Sequence, residues 1–180
     1  MEYIPLFLFV LSTSITPGPN NIMMMTSGVN YGIRRSIPHL LGVDIGLPLM
    51  VIAVGLGANS FFQEPTLFHM ALKAIGACYL IYLAYKIATS PTNNLETKKS
   101  KPFTFFQAAL YQWVNPKAWI MAVGAIVTYS AASEHYLIQV LIIALSFFLF
   151  GAPCSAIWLL FGTSLKRLLS NPAYLRAFNV

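Results

Sequence analysis

Charged residues are scarce in this chain. Only 9% of its 180 residues are Asp, Glu, Lys or Arg, whereas ordinary soluble domains carry about 25%. Hydrophobic residues make up 57% of the chain, and the mean hydropathy is +0.68. This composition excludes an ordinary soluble domain and predicts an integral membrane protein.

Motifs for enzyme chemistry are also missing. The three histidines, His39, His69 and His135, are scattered without metal-ligand spacing. The sequence contains neither the phosphate-binding loop G-x-x-x-x-G-K-[ST] nor the nucleophile elbow G-x-S-x-G. We therefore predict no enzyme activity, no metal and no cofactor, and any transport must be driven by a gradient or run downhill.

Disulfides and nucleic-acid binding are excluded on similar grounds. Cys78 and Cys154 each lie inside an apolar run, where a thiol behaves as a small hydrophobic group. The net charge of +6 comes mostly from basic residues between apolar runs, without a basic face interleaved with aromatics. The positive charge therefore indicates membrane topology and not a nucleic-acid partner.

Five stretches are long and apolar enough to cross a bilayer, which takes about 20 helical residues. They are Ile4 to Ser27, Pro38 to Phe61, Leu67 to Ala88, Phe103 to Tyr129, and Leu137 to Gly162. The sequence therefore predicts an all-α protein with five transmembrane helices in a single transmembrane domain over residues 1–180. A polar, lysine-containing cytoplasmic loop, residues 89–102, separates a first three-helix repeat, residues 1–88, from an incomplete second repeat, residues 103–180.

Basic residues predict the orientation. Nine of the eleven Lys and Arg residues fall in alternate connections or their flanks: Arg34, Arg35, Lys86, Lys98, Lys99, Lys101, Lys166, Arg167 and Arg176. Because Lys and Arg are enriched on the cytoplasmic side of membrane proteins, these connections are predicted to be cytoplasmic. The N-terminus is then outside, and the C-terminus after the fifth helix is cytoplasmic.

The first predicted span is interrupted at its centre by Thr16-Pro17-Gly18-Pro19. Proline has no amide hydrogen, so the carbonyls of Thr13 and Ile15 lose their helical partners. Free polar backbone in hydrocarbon costs several kcal/mol per group, so a break survives only where protein or a water-filled cavity satisfies it. A helix that begins after Gly18 presents free amides and a partial positive charge to an anion such as a substrate carboxylate.

The fourth predicted span is interrupted near its centre too, at Asn115-Pro116-Lys117. The two spans run in opposite directions, so their breaks correspond as in an inverted repeat, a pattern that points to a transporter site. We therefore predict the remnant of a 3+3 inverted-repeat bundle with helices 1 and 4 broken at Pro and Gly. The alternative is a plain proline kink, which we favour for Pro48 and Pro153.

Residues at the two breaks form the predicted site. The predicted substrate-binding residues are Thr16, Pro17, Gly18, Pro19, Asn20, Asn21, Asn115, Pro116 and Lys117. Asp44 lies about 9 Å inside the second span at 1.5 Å per residue and is the proton-coupling candidate, because a buried ionised acid is costly. The alternative for Asp44 is an acid that reaches the cytoplasmic interface or caps local backbone.

Several motifs resemble one transporter family. Four sets of residues are similar to signatures of the LysE/RhtB amino-acid exporters: Ser14 to Asn20, the glycines at 28, 32, 42 and 46, the stretch 74–84, and Asn115-Pro116-Lys117-Ala118. The resemblance implies export of amino acids or close derivatives across the bacterial cytoplasmic (inner) membrane by a secondary, proton-coupled mechanism. Residues 85–91 resemble the branch that exports cysteine and O-acetylserine.

One departure from the family concerns its sixth helix. Only residues 173–180 remain where family members have a sixth span, so we expect that helix to be missing or truncated. The predicted partners are an amino-acid substrate and the lipid bilayer, with the chain acting alone or as a homo-oligomer. The alternative function is a non-transporting or degenerate membrane subunit that lacks the last helix.

Overall fold

The computed structural model describes residues 3–61, 101–131 and 133–169. These residues form helices and short connections, and no strand occurs among them. The predicted third span, most of the predicted cytoplasmic loop and the segment after Leu169 lie outside the described residues.

Six α-helices and two irregular helical turns make up the described chain. They are α1 (Tyr3–Ile15), α2 (Pro19–Phe61), α3 (Phe105–Tyr111), a 3₁₀ turn (Gln112–Val114), α4 (Pro116–Tyr129), α5 (Tyr136–Ser146), a π turn (Phe147–Gly151) and α6 (Ala152–Leu169). Two described segments are long and apolar enough to cross a membrane, Pro19–Gly57 and Tyr136–Arg167, whereas Tyr3–Ile15 is shorter. The chain forms two compact units, residues 1–56 with 102–180 and residues 57–101, and the breaks lie in the first of these.

The break predicted in the first span is confirmed. Helix α1 ends at Ile15 and α2 begins at Pro19, so the two prolines and Gly18 stand at the interruption. Proline is well tolerated in the first turn of a helix because that turn has no use for its amide. The same rule places Pro116 at the start of α4, with Asn115 as the N-cap.

A second interruption lies at Gly32 within α2. Gly32 has φ +75° and ψ 179°, a backbone conformation outside the helical region. The hydroxyls of Ser27 and Ser36 are 2.8 Å apart across it, although nine residues of continuous helix span about 14 Å. The chain therefore turns back at Gly32, between the first and second predicted spans.

Gly32→Ala tests this turn. No atom lies within 4 Å of a Cβ added at Gly32, but the positive φ strains any L side chain. We expect a loss of about 1 to 3 kcal/mol in stability, read as a lower thermal midpoint of the purified protein in detergent. Gly124→Ala is the matched control, because a Cβ there meets its nearest neighbour at an ordinary 3.6 Å. Equal midpoints for the two variants would contradict the strain at Gly32.

Small residues let the helices pack closely. A Cβ at Gly42 would lie 2.7 Å from the Ala108 Cβ, and one at Gly46 would lie 2.7 Å from the Ala109 Cα, so this glycine face of α2 lies against α3. A Cβ at Gly162 on α6 would meet the backbone of Met25. Among the buried residues, Met24, Val43, Ala108 and Leu159 form one apolar cluster at these crossings. Glycine thus brings three helices to backbone contact around the two breaks.

The π turn was not predicted. Pro153 cannot donate to the carbonyl of Leu149, four residues earlier, and the helix widens over Phe147–Gly151, just before that proline. The plain kink predicted at Pro153 is therefore a π turn packed against α1. Such turns are frequent at functional sites.

Candidate functional site

The two breaks contact each other directly. Lys117 Nζ, from the second break, donates to the Thr16 carbonyl at 2.7 Å and to Thr16 Oγ1 at 2.9 Å, at the first. A Cβ at Gly18 would lie 2.7 Å from Lys117 Cδ. A side chain at position 18 would therefore push the lysine side chain off its present path. One ammonium group thus holds together two interruptions that lie about a hundred residues apart in sequence.

The carbonyls that lose their helical donors at the prolines accept hydrogen bonds from other protein groups. Thr16 Oγ1 donates to the Thr13 carbonyl at 2.9 Å, and the Trp158 indole donates to the Ile15 carbonyl at 3.1 Å. At the second break the Asn115 amide donates to the Gln112 carbonyl at 3.2 Å. Protein groups therefore satisfy all three carbonyls, as an interruption within a membrane requires.

The three asparagines brace the breaks. Asn21 Nδ2 donates to the carbonyls of Ser14 and Thr16, both at 2.8 Å. Asn20 Nδ2 donates to Gln112 Oε1 at 2.8 Å, which connects the first break to the 3₁₀ turn before the second. Asn115 Oδ1 accepts from the Lys117 amide at 3.1 Å and so caps α4. These contacts fix the backbone around the site before any ligand binds.

A cavity of about 40 Å³ lies between the breaks. Its lining combines both breaks with α2, the π turn and α6: Thr13, Ser14, Gly18, Asn20, Asn21, Val43, Asp44, Leu47, Pro48, Asn115, Lys117, Ala118, Met121, Phe147, Gly151 and Ser155. A cavity of this size and polarity has room for a few water molecules. Its wall is partly apolar, and its polar groups include one cation, Lys117, and one acid, Asp44.

Asp44 reaches this cavity because of the glycines beside it. Residues two positions apart point about 200° apart around a helix, so Asp44 faces away from Gly42 and Gly46, which lie against α3. The carboxylate side chain is 8% exposed and is hydrogen-bonded by Ser155 of α6. The aspartate therefore lines the same cavity as Lys117.

The predicted residues divide into two groups. Six of them line the cavity: Gly18, Asn20, Asn21, Asp44, Asn115 and Lys117. The other four are outside the lining: Thr16, Pro17, Pro19 and Pro116. Thr16 and Pro17 are exposed, and Thr16 acts on the cavity only through its bonds to Lys117. The prolines interrupt the helices, and residues next to them line the cavity.

Sequence reasoning missed Ser14, Pro48 and Ser155 as lining residues. For Pro48 a signal existed, because a proline four residues after Asp44 frees the carbonyl of that aspartate. Ser155 follows Pro153 by two positions, and no pattern separates it from a serine that packs between helices. No group of three or more His, Cys, Asp or Glu side chains able to hold a metal occurs in residues 3–61, 101–131 and 133–169.

Comparison with known proteins identifies the family. The LysE type translocator family matches residues 11–180. Proteins named cysteine/O-acetylserine efflux protein from Escherichia coli and Shigella sonnei are each 32% identical over 173 residues, which is 96% of this chain and 87% of each relative. No solved structure matches the chain. The chain therefore belongs to the LysE type translocator family, and it is a multi-pass transmembrane amino-acid exporter of the bacterial inner membrane and not an enzyme.

Proposed function

We propose that this protein exports cysteine, O-acetylserine or a similarly small amino acid through the cavity between its two helix breaks. The observation that carries the proposal is the presence of one cation, Lys117, and one acid, Asp44, on the walls of one cavity. An amino acid is a zwitterion, and a chamber with one group of each sign matches both of its charged ends. The relatives named as cysteine/O-acetylserine efflux proteins supply the substrate class.

The carboxylate end is assigned to Lys117 and to the start of α2. The lysine ammonium has three donors, of which two contact Thr16. The amides of Asn20 and Asn21 lie in the first turn of α2, where helix geometry gives them no intrahelical acceptor. A carboxylate bound there is stabilised by the ammonium and by the positive end of the helix dipole. Binding would draw Lys117 away from Thr16 and loosen the contact between the breaks.

The ammonium end and the coupling proton are assigned to Asp44. An ionised acid inside the membrane is costly unless it is paired, so the carboxylate gains most when it holds either a proton or the substrate ammonium. The carboxylate cannot hold the proton and the substrate ammonium at the same time. Proton entry and amino-acid exit must therefore alternate at Asp44. This is the physical basis that we propose for proton-coupled export.

The wider architecture is part of the proposal. Breaks at corresponding positions of two spans, now seen in contact, support an inverted repeat of three-helix units. The basic residues of the alternate connections support an N-terminus outside. Alternating access would then tilt the units against each other around the Lys117 to Thr16 contact. The competing function is a non-transporting membrane subunit, which would have no use for a cation and an acid on the walls of one cavity.

Transport by the purified full chain tests the proposal. Proteoliposomes loaded with O-acetylserine should release it faster with the protein than without, and an imposed proton gradient should accelerate the release. Lack of transport across a panel of cysteine, O-acetylserine, threonine, lysine and arginine would favour the non-transporting subunit.

Asp44→Asn tests the coupling. The amide keeps the size of the side chain but can neither exchange a proton nor form an ion pair with the substrate ammonium. The proton gradient should therefore no longer accelerate release, and the remaining release should be slower than in the wild type. Glu134→Gln is the control, since Glu134 is exposed outside the cavity. A gradient effect that survives in Asp44→Asn would assign coupling to another group.

A further inference from the structure

We propose that Ser14 and Gly151 form the pocket that reads the side chain of the substrate. The pocket takes short side chains that end in a hydrogen-bonding group, such as a thiol, a hydroxyl or an ester. This inference rests on the proposed function, because it assigns the part of the same cavity that the zwitterion ends leave unused. It begins from a hydroxyl group without a partner.

Ser14 Oγ is buried and has no hydrogen-bond partner in the part of the chain that the structure describes. Five other buried or half-buried hydroxyls of the described chain are bonded to a backbone carbonyl of the preceding turn: those of Thr13, Ser36, Ser130, Ser146 and Thr163. That bond is the usual way to hide a hydroxyl in a membrane helix. A buried polar atom without a partner costs about 1 to 3 kcal/mol, so a hydroxyl that lines a cavity bonds to what fills the cavity, water in the empty state and a polar substrate group in the bound state.

The backbone around Ser14 is already engaged. Thr13 Oγ1 donates to the Phe9 carbonyl at 2.6 Å and lies 3.2 Å from the carbonyl of Val10, four residues before Ser14. The backbone of Ser14 is held at the same time, because its own carbonyl accepts from Asn21. The hydroxyl is thus fixed in position with its bonding capacity free, on the wall of the cavity.

The neighbouring wall is set by the π turn. Gly151 ends this turn, and a Cβ added there would lie 3.5 Å from Ser14 Oγ. The absence of a side chain at Gly151 therefore leaves the space in front of the hydroxyl open. Phe147, which is 2% exposed, closes the same side of the cavity. The result is a short recess with one polar group beside it and an aromatic wall.

Ser14→Ala tests the assignment by selectivity. O-acetylserine and norleucine have side chains of equal length, but only the first offers hydrogen-bonding oxygens. The wild type should transport O-acetylserine in preference, and Ser14→Ala should reduce this preference about five- to tenfold, the worth of one hydrogen bond. Its thermal midpoint should be unchanged or higher, because the variant removes an unpaired buried hydroxyl. Ser12→Ala is the matched control, since the exposed Ser12 is bonded to the Phe9 carbonyl on the same helix.

Gly151→Ala tests the recess. The added methyl group is in ordinary contact distance of Ser14, so the fold should tolerate it, but it should slow O-acetylserine more than the shorter cysteine, by at least threefold. Gly124→Ala adds the same group beside Phe9, at 3.6 Å and outside the cavity lining, and should leave both rates as in the wild type.

A labelling experiment reads binding without transport. Ser14→Cys, with Cys78 and Cys154 replaced by alanine, should react with a small methanethiosulfonate reagent, and O-acetylserine should protect it at least fivefold; Ser12→Cys should react without protection. A wild type that transports neither substrate would overturn the proposed function and this inference with it. A wild type that transports O-acetylserine, with an unchanged preference in Ser14→Ala or no protection of Ser14→Cys, would overturn this inference alone.

Discussion

Lys117→Met is expected to lower the export rate about tenfold to a hundredfold, the worth of hydrogen bonds to a charged group. Methionine retains much of the length and the apolar stem of lysine, so it fills the space beside Gly18. It removes the ammonium group that contacts Thr16 at 2.7 and 2.9 Å and that we assign to the substrate carboxylate. The measurement is the initial rate of O-acetylserine release from proteoliposomes containing equal amounts of monodisperse protein.

Lys101→Met provides the comparison for charge alone. Lys101 is exposed and lies outside the cavity lining, so its loss should change the rate less than twofold. A wild-type rate in Lys117→Met would show that the ammonium group takes no part in transport and only joins the two breaks. A fall in both variants would indicate a general effect of charge on insertion.

Gly162→Ala is expected to have the largest effect on folding. A Cβ on Gly162 would lie 2.8 Å from the carbonyl carbon and 2.9 Å from the Cα of Met25, well inside normal contact. Both are backbone atoms of α2, so no flexible side chain can move aside, and α6 must separate from α2. Overpacking of this kind costs about 3 kcal/mol, which for a chain of this size lowers the thermal midpoint by about 10 °C.

Gly124→Ala again supplies the control, because the methyl group there is in ordinary contact with a ring edge at 3.6 Å. The two variants differ only in what the added carbon meets. The prediction is checked by thermal unfolding in detergent and by the fraction of monodisperse protein recovered. A wild-type midpoint for Gly162→Ala would mean that α6 and α2 are not held at backbone contact.

The breaks were predictable from sequence because proline acts locally. Pro17, Pro19 and Pro116 remove specific amides wherever the helix is placed, so the interruptions follow from covalent structure. Their correspondence in two spans of opposite direction predicted a shared site, and the contact between Lys117 and Thr16 shows the two breaks together. Asp44 was identifiable for a similar reason, since an acid is costly anywhere in hydrocarbon.

Other features depend on contacts between segments that are far apart in the sequence, and the sequence alone does not show which contacts form. A proline such as Pro153 permits a kink, a water-bridged gap or a π turn, and packing against α1 decides among them. A serine in a membrane helix usually bonds to its own backbone, so the unpaired hydroxyl of Ser14 becomes visible only in the structure. The asparagines looked like ligands, whereas the structure uses much of their bonding capacity to brace the breaks.

The tryptophans beside the breaks make the protein a natural optical sensor of its own mechanism. All three tryptophans of the chain are attached to the breaks: Trp158 through the Ile15 carbonyl, and Trp119 through the carbonyl of Trp113 at 2.9 Å. Indole emission shifts in colour and intensity when its N–H exchanges a carbonyl for water. Unlabelled wild-type protein therefore carries fluorophores where motion during transport is expected, and stopped-flow emission can time the opening of the breaks after substrate is added.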